Sequence, residues 1–385
     1  MIRRLTSHSA IITLLAISAF AVTAHAQTTW TFTGSTNNDF QTPTNWDQGT
    51  VPILNGTATG TPGTAVINNG DAVTYNPGGD FILNNGGTLE ITNGSWTQIN
   101  GGAWIQLGET TQGVTGNGHI LVNGGTFNQG TDSNNPFNLN GTGNTFTITS
   151  GSANFTTGFT NISNGLTFNI QGGSVVNSTS SGTVAIPLTV QSGAVVNVSG
   201  GSLTYDGNLV INGGTWNQSG GIVTMTGSLN ELDYETASSG IMSGGTLNIP
   251  SLITGVNSVS GTSNTFLFSG GVINDYENSN NGYYGSGSAH AFNFTAGSTG
   301  VFNFSGTNDT LSQVVGFVSD GGFEDNGVVD TTGTTLFSVS QSGTVISVEL
   351  ASAIPEPSSS KYAVLGFGGL GLWVFLRRKK ARIAS

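Results

Sequence analysis

The sequence predicts an all-β fold for the body of this chain: a right-handed β-solenoid with irregular rungs, each rung being one turn of a coil. Two observations indicate it. Apolar and polar residues alternate in runs such as TFTITSG (145–151) and AFNFTAG (291–297), as in strands that bury one face. A sequence motif also recurs in which Gly-Gly is followed by a small or branched residue and then by an apolar one. Examples are VNGGTFNQ (122–129) and INGGTWNQ (211–218). Loose internal repetition of this kind is typical of solenoids.

The repeat has no fixed period, and rungs joined by loops of variable length would produce that. Gly-Gly pairs begin, among other positions, at 86, 101, 124, 172, 200, 213, 244 and 270. Gly and Asn between the alternating runs are expected to supply turns that need a positive φ. No amphipathic helix is predicted in the body. A pair of β-sandwich domains is the alternative fold.

The distribution of charge restricts the possible partners. The chain has 385 residues, no Cys, eight Lys and Arg, and twenty Asp and Glu. Without Cys it has neither disulfides nor thiolate metal sites. No basic residue lies between positions 5 and 360, whereas all the carboxylates do. Such a body repels phosphate backbones, so no nucleic-acid partner is expected, and cations or neutral hydroxyl-rich surfaces are favoured.

Residues 1–26 have the features of a secretory signal peptide. Two arginines near the start precede an apolar run at 11–22, and Ala24 and Ala26 are the small residues that a signal peptidase inspects. The apolar run is shorter than the roughly 20 residues that a membrane span needs. Residues 1–26 are therefore predicted to form a signal helix that is removed, with the mature chain beginning at Gln27.

The other end predicts a second membrane-directed segment. A β-rich passenger at 27–350 and a linker at 351–361 precede an apolar stretch at 362–376, which is predicted to form a transmembrane helix. The basic tail at 377–385 follows and is expected to stay in the cytoplasm by the positive-inside rule. Its stop-transfer cluster comprises Arg377, Arg378, Lys379 and Lys380.

The linker contains the sequence Pro355, Glu356 and Pro357. With the apolar stretch and the basic tail that follow it, this ending resembles a PEP-CTERM sorting signal, over residues 354–385. The resemblance implies export across the inner membrane of a bacterium that also has an outer membrane. It further implies recognition at the Pro-Glu-Pro by an exosortase-type enzyme, and release or transfer towards the cell surface. Such proteins often belong to organisms that produce exopolysaccharide.

The start of the body, residues 30–52, resembles the opening segment of surface passengers with autotransporter-type β repeats. It carries Trp30, Phe32, Phe40 and Trp46. These aromatic residues could cover the exposed end of a solenoid, or they could form a platform on which sugars stack. The sequence leaves both interpretations open.

Two acidic tripeptides are the candidate functional residues of the body. They consist of Asp233, Tyr234 and Glu235, and of Asp275, Tyr276 and Glu277. On a strand, residues i and i+2 lie on one side about 6.6 Å apart, so each tripeptide would place two carboxylates together and the Tyr opposite. Such a pair could contact a glycan, bind Ca²⁺, hydrolyse a glycosidic bond, or only keep a loop solvated. No other metal or cofactor is predicted.

The remaining chemistry does not favour an enzyme. The body contains two His, His119 and His290, no G-x-S-x-G motif, and no Lys for a phosphate-binding loop. The chain is therefore predicted to be an exported structural or adhesive protein of the cell surface or extracellular matrix, associated with exopolysaccharide. The alternative is a polysaccharide-degrading glycosidase on the same scaffold.

Overall fold

The computed structural model describes most of the body and neither terminus. The described residues are 27–55, 61–76, 80–99, 105–108, 116–129, 138–140, 142–155, 161–163, 165–177, 188–226, 231–234, 238–252, 264–276, 290–306 and 309–351. The predicted signal peptide, transmembrane segment and basic tail lie outside them.

Strands dominate the described residues, which confirms the prediction of a mainly β protein. The strands are β1 (Thr29–Thr31), β2 (Thr64–Ile67), β3 (Ala72–Tyr75), β4 (Phe81–Leu83), β5 (Thr88–Ile91), β6 (Ser95–Gln98), β7 (Ile105–Leu107), β8 (His119–Asn128), β9 (Asn138–Asn140), β10 (Thr145–Phe155), β11 (Asn161–Ser163), β12 (Thr167–Ile170), β13 (Ser174–Asn177), β14 (Leu188–Gln191), β15 (Val195–Val198), β16 (Ser202–Tyr205), β17 (Leu209–Asn212), β18 (Thr215–Gln218), β19 (Ile222–Met225), β20 (Glu231–Tyr234), β21 (Ser239–Ile249), β22 (Ser251–Leu252), β23 (Asn264–Asp275), β24 (His290–Phe294), β25 (Val301–Phe304), β26 (Phe323–Asp325), β27 (Val328–Val329), β28 (Phe337–Ser342) and β29 (Val345–Leu350).

The strands form three stacks in which neighbours are parallel and come from successive repeats of the chain. The first stack contains β2, β5, β8, β10, β12, β15, β18, β21, β23, β24 and β26. The second contains β3, β6, β8, β10, β13, β16, β19, β21, β23 and β25. The third contains β4, β7, β9, β11, β14, β17, β20 and β22.

From β2 to β23 the repeats contribute strands to the stacks in the same order, and paired residues of successive repeats are 20 to 32 residues apart along the chain. The long strands β8, β10, β21 and β23 run through the first stack into the second, and β10 and β21 show register shifts where they do so. The parallel pairing differs from the antiparallel pairing that β-sandwich domains require.

A glycine corner joins the first stack to the second in most repeats. Gly151, Gly173 and Gly221 have φ values of +85°, +68° and +68°, which side chains with a Cβ rarely adopt. A Cβ on Gly151 would also lie 2.1 Å from the carbonyl oxygen of Gly125 in the preceding repeat. The recurring Gly-Gly is thus the place where the backbones of successive repeats approach one another, as expected for a turn with positive φ.

Asn has a smaller part in these turns than the sequence suggested. Among the described residues only Asn85 and Asn326 combine a side chain with a positive φ. Most of the strand Asn residues instead form hydrogen bonds between repeats, which are described below.

The inward side chains of the three stacks make one continuous hydrophobic core, from Trp30 to Val348. Alternate residues of almost every strand face it, in the pattern that the alternating runs predicted. Aromatic rings stack between repeats inside this core: the rings of Trp96 and Phe127 lie 5.0 Å apart at 9°.

The last part of the body differs from the parallel repeats. Strand β29 pairs antiparallel with β25 and with β28, and β26 pairs antiparallel with β27. A short helix, α1 (Leu311–Phe317), is followed by a π-type turn at Val318–Gly322. The prediction of no helix in the body was wrong here. The missed signal is the capping box formed by Thr310 and Gln313.

Within the ranges given above, no helix combines the length and the apolar character that crossing a bilayer requires.

Candidate functional site

The N-terminal aromatic residues are buried against the first repeat. Trp30, Phe32, Phe40 and Trp46 are each at most 4% exposed, and the Nε1 of Trp46 donates a 2.8 Å hydrogen bond to the carbonyl oxygen of Phe40. Strand β1 pairs with the edge of β2, and a bridge joins the residue before Phe40 to β3. This segment covers the end of the stacks, so these rings do not form an exposed platform for sugars.

The described parts of the two acidic tripeptides lie in different stacks. Asp233 and Tyr234 lie in β20, in the third stack, where their backbones pair with Val210 and Ile211 of β17. Asp275 ends β23, in the second stack. The side chains of Asp233 and Tyr234, and the whole of Glu235 and Glu277, lie outside the description, so the proposed pairing of carboxylates within each tripeptide stays a prediction.

Asp275 faces the core instead of the solvent. It is 5% exposed, and its backbone pairs with Ile249 and Phe304, whose side chains are also buried. Tyr276, which follows the strand, is half-buried, and its hydroxyl donates to the carbonyl oxygen of Met225. The strand register therefore turns the acidic residue Asp275 inward.

The environment of Asp275 favours the protonated carboxyl. Its Oδ1 has no hydrogen-bond partner. Burial, and secondly the nearby carboxylate of Asp309, raise the pKa of Asp275 to about 8. A carboxyl that is protonated at neutral pH is a poor Ca²⁺ ligand. In the ranges that can be described, no three His, Asp or Glu side chains are grouped so as to hold a metal ion.

His119 lies on the outward side of β8, where its Nδ1 is 2.8 Å from the hydroxyl of Thr145 in the next repeat. Burial lowers the pKa of this imidazole. It therefore belongs to the contacts between repeats. His290 begins β24, and its side chain is outside the description.

A long uncharged surface lies on the outward side of the second stack, from β6 to β25, and we call it the neutral strip. Two side chains per strand are aligned in register over nine strands. One column consists of Ser95, Thr126, Ser152, Ser174, Ser202, Ile222, Thr246, Val272 and Val301. The other consists of Thr97, Asn128, Asn154, Val176, Thr204, Thr224, Asn248, Asn274 and Asn303. None of these residues is charged or aromatic.

Hydrogen bonds between side chains of successive repeats form ladders along the stacks, with donor–acceptor distances of 2.7–3.2 Å. On the neutral strip, one ladder joins Thr97, Asn128 and Asn154, and another joins Thr224, Asn248, Asn274, Asn303 and Ser347 of β29. On the first stack a third ladder joins Thr147, Asn169, Asn197 and Asn217. Wherever two Asn residues of these ladders are bonded, the Nδ2 of the residue later in the sequence donates to the Oδ1 of the earlier one.

The ladders were not among the predicted site residues, although the sequence carries their signal. Asn occupies the third position of TFNI (167–170), TWNQ (215–218) and TLNI (246–249), two residues after an outward Thr. Identical amides in register can stack in this way, as in cross-β assemblies. Recognising them requires the register between repeats of unequal length, which the irregular spacing conceals.

The predicted sorting residues lie outside the described ranges. They are Ala24, Ala26, Pro355, Glu356, Pro357, Arg377, Arg378, Lys379 and Lys380. Gln27, the predicted first residue of the mature chain, is the first described residue, and its Nε2 donates to the carbonyl oxygens of Pro62 and Gly86.

Comparison with known proteins adds no relative: no family model matches the sequence, and no characterised protein or solved structure is significantly similar to it.

Proposed function

We propose that the chain is an exported, non-enzymatic protein with a structural or adhesive role at the cell surface or in the extracellular matrix, associated with exopolysaccharide. Signal peptidase removes residues 1–26. Residues 362–376 and the basic tail hold the chain in the inner membrane until an exosortase-type enzyme acts at Pro355-Glu356-Pro357. The body is then delivered to the exterior.

We also infer that the body is a right-handed β-solenoid whose three faces are the three stacks. The repeated order of the stacks and the parallel pairing of successive repeats support this architecture. Parallel strands joined by a crossover connection are almost always right-handed, which supports the hand.

The functional proposal rests on the ladders of side-chain hydrogen bonds on the outward faces of the stacks. Hydroxyl and amide side chains on the first and second stacks are bonded to one another from repeat to repeat, so uncharged groups connect successive repeats along these two faces. Such a surface suits persistence and contact outside the cell, in a chain that has no Cys for disulfides. A glycosidase is less well supported, because Asp275 faces the core.

Fractionation of the producing bacterium tests the proposal. Replacement of Pro355, Glu356 and Pro357 by Ala should retain the protein in the inner membrane, whereas wild type should reach the cell surface or medium. The matched control replaces Ser358, Ser359 and Ser360 by Ala and should behave as wild type. Equal distribution of the Pro-Glu-Pro variant and wild type would contradict the sorting role.

A further inference from the structure

We propose that the neutral strip is a docking surface for an extended chain of a neutral, hydroxyl-bearing polysaccharide. The inference rests on the proposed function, since it requires the body to work outside the cell. It adds the surface that makes the contact and the chemical class of the partner.

The charge of the strip selects a neutral partner. The chain carries twenty carboxylates and a formal net charge of −12, yet none of the eighteen strip side chains is charged. An anionic polymer would be repelled by the acidic body and would find no cation on the strip to bind. When a neutral polyol binds to the strip, no charged side chain has to be desolvated, so that energetic cost is absent.

The hydrogen-bonding capacity of the strip suits hydroxyl groups. An Asn amide has two N–H donors and an oxygen with two lone pairs, and a ladder step uses one N–H of one amide and one lone pair of the next. The interior Asn residues of a ladder, such as Asn248 and Asn274, therefore retain one donor and one acceptor. Sugar hydroxyls donate and accept, so they can satisfy both.

The strip side chains are regularly spaced, and the Asn residues among them, on β8, β10, β21, β23 and β25, are held in place before binding. Neighbouring strands lie about 4.8 Å apart, and the two columns are separated by about 6.6 Å along each strand. Nine strands thus present a strip about 38 Å long, enough for several sugar units. The ladder bonds already restrict the Asn rotamers, so little side-chain entropy is lost when a ligand binds.

A second copy of the chain is the other candidate occupant of a flat sheet face. Two bodies that each carry this negative charge repel one another at close approach, whereas a neutral polysaccharide does not. Charge therefore favours the polysaccharide, and self-association becomes an outcome that the experiment must detect.

The test is a binding assay with the exported protein and insoluble cellulose and β-1,3-glucan, with the acidic polymer alginate for comparison. The variant is Thr204→Lys, in the middle of the strip on β16, which places a long charged side chain across the path of a docked chain. Thr246→Lys, on β21, is the second strip variant. Thr189→Lys, on the outward side of β14 in the third stack, adds the same charge elsewhere and is the matched control.

We expect wild type to bind at least one neutral polysaccharide and not alginate, with at least tenfold weaker binding for both strip variants and unchanged binding for Thr189→Lys. Thermal unfolding and sedimentation of each variant establish that it is folded and report self-association. The inference is overturned by absence of binding to either neutral polymer, by preference for alginate, by equal weakening in the control, or by strip variants that alter only self-association. None of these results affects the sorting experiment, so failure of the inference is distinguishable from failure of the proposed function.

Discussion

At the scale of single residues, two buried aspartates show opposite ways of accommodating a carboxyl group. Asp330 is buried, which raises its pKa, but bonds from the side chain of Thr332 and from the backbone N–H groups of Leu336, Thr332 and Thr335 outweigh burial and lower the pKa to about 2. Asp275 has no such donors at its Oδ1, so burial prevails. The carboxylate of Asp330 holds its loop in place through these hydrogen bonds. The carboxyl of Asp275, in contrast, destabilises the folded protein when it ionises at alkaline pH.

Asp275→Asn should therefore stabilise the protein in a pH-dependent way. The pKa of Asp275 is raised from 3.8 to about 8, so the folded state binds the proton more tightly than the unfolded state. The stability that this proton contributes is complete below pH 4 and is lost as the pH rises to about 8. We expect wild type and Asp275→Asn to be similar at pH 4 and to differ by roughly 2–4 kcal/mol in favour of the variant at pH 7–8.

Thermal unfolding midpoints from pH 4 to pH 9 measure this difference. Asp320→Asn, at an exposed position, is the control for removal of one negative charge. A gain for Asp275→Asn that is the same at every pH, or that matches the control, would show that Asp275 does not titrate between these limits.

The glycine corner gives a second prediction at residue scale. Gly151→Ala places a Cβ 2.1 Å from the carbonyl oxygen of Gly125 and forces a side chain into a positive φ. We expect a loss of about 3 kcal/mol or more in unfolding free energy, from overpacking and backbone strain together.

Gly297→Ala separates the two contributions. Gly297 has a φ of +72°, but nothing lies within 4 Å of its added Cβ. The variant Gly297→Ala should therefore lose only about 1 kcal/mol of unfolding free energy, as measured by chemical denaturation. Equal losses at both positions would indicate that close contact between repeats is not what the corner glycines permit.

At the scale of elements, the ladders tie together strands that are distant in sequence. Asn197 donates to Asn169 at 2.9 Å and accepts from Asn217 at 2.9 Å. These bonds add to the backbone pairing of β12, β15 and β18, and they hold each outward amide at a fixed position. The ladders therefore connect stability with surface chemistry, because the same groups stiffen the stack and face the solvent.

A double-mutant cycle on Asn197 and Asn217 measures one step of a ladder. Each substitution by Ala should cost about 1–2 kcal/mol, and their combination should cost less than the sum by about 0.5–1 kcal/mol, because the bond between them is lost only once. The cycle of Asn197 with Asn274, which belongs to another ladder, should be additive. Additivity in both cycles would show that the ladder bonds contribute no measurable stability.

At the scale of the whole molecule, the sequence predicts the strands and corners better than the site. Alternation identifies strands such as β10 and β12, because burial of one face depends only on neighbouring residues. The inward orientation of Asp275 and the ladder partners could not be predicted in the same way. They depend on which residues of different repeats become neighbours, and loops of unequal length set that register.

The same reasoning explains the errors at the C-terminal end of the body. Helix α1 has a capping signal of only four residues, and the parallel repeats end in antiparallel strands that carry the same alternation as the others. Local patterns do not distinguish parallel from antiparallel neighbours. The aromatic residues near the start were recognised, and burial decides between the two roles that the sequence left open.

Export and processing at the Pro-Glu-Pro are best tested by the intact mass of the protein recovered from the envelope and medium of the producing cells. We expect a chain that begins at Gln27 and ends near Pro355–Pro357, found outside the inner membrane. A chain that still ends at Ser385 and remains in the inner membrane would contradict it, because the last thirty residues would then be a permanent anchor and the body would work tethered in the periplasm.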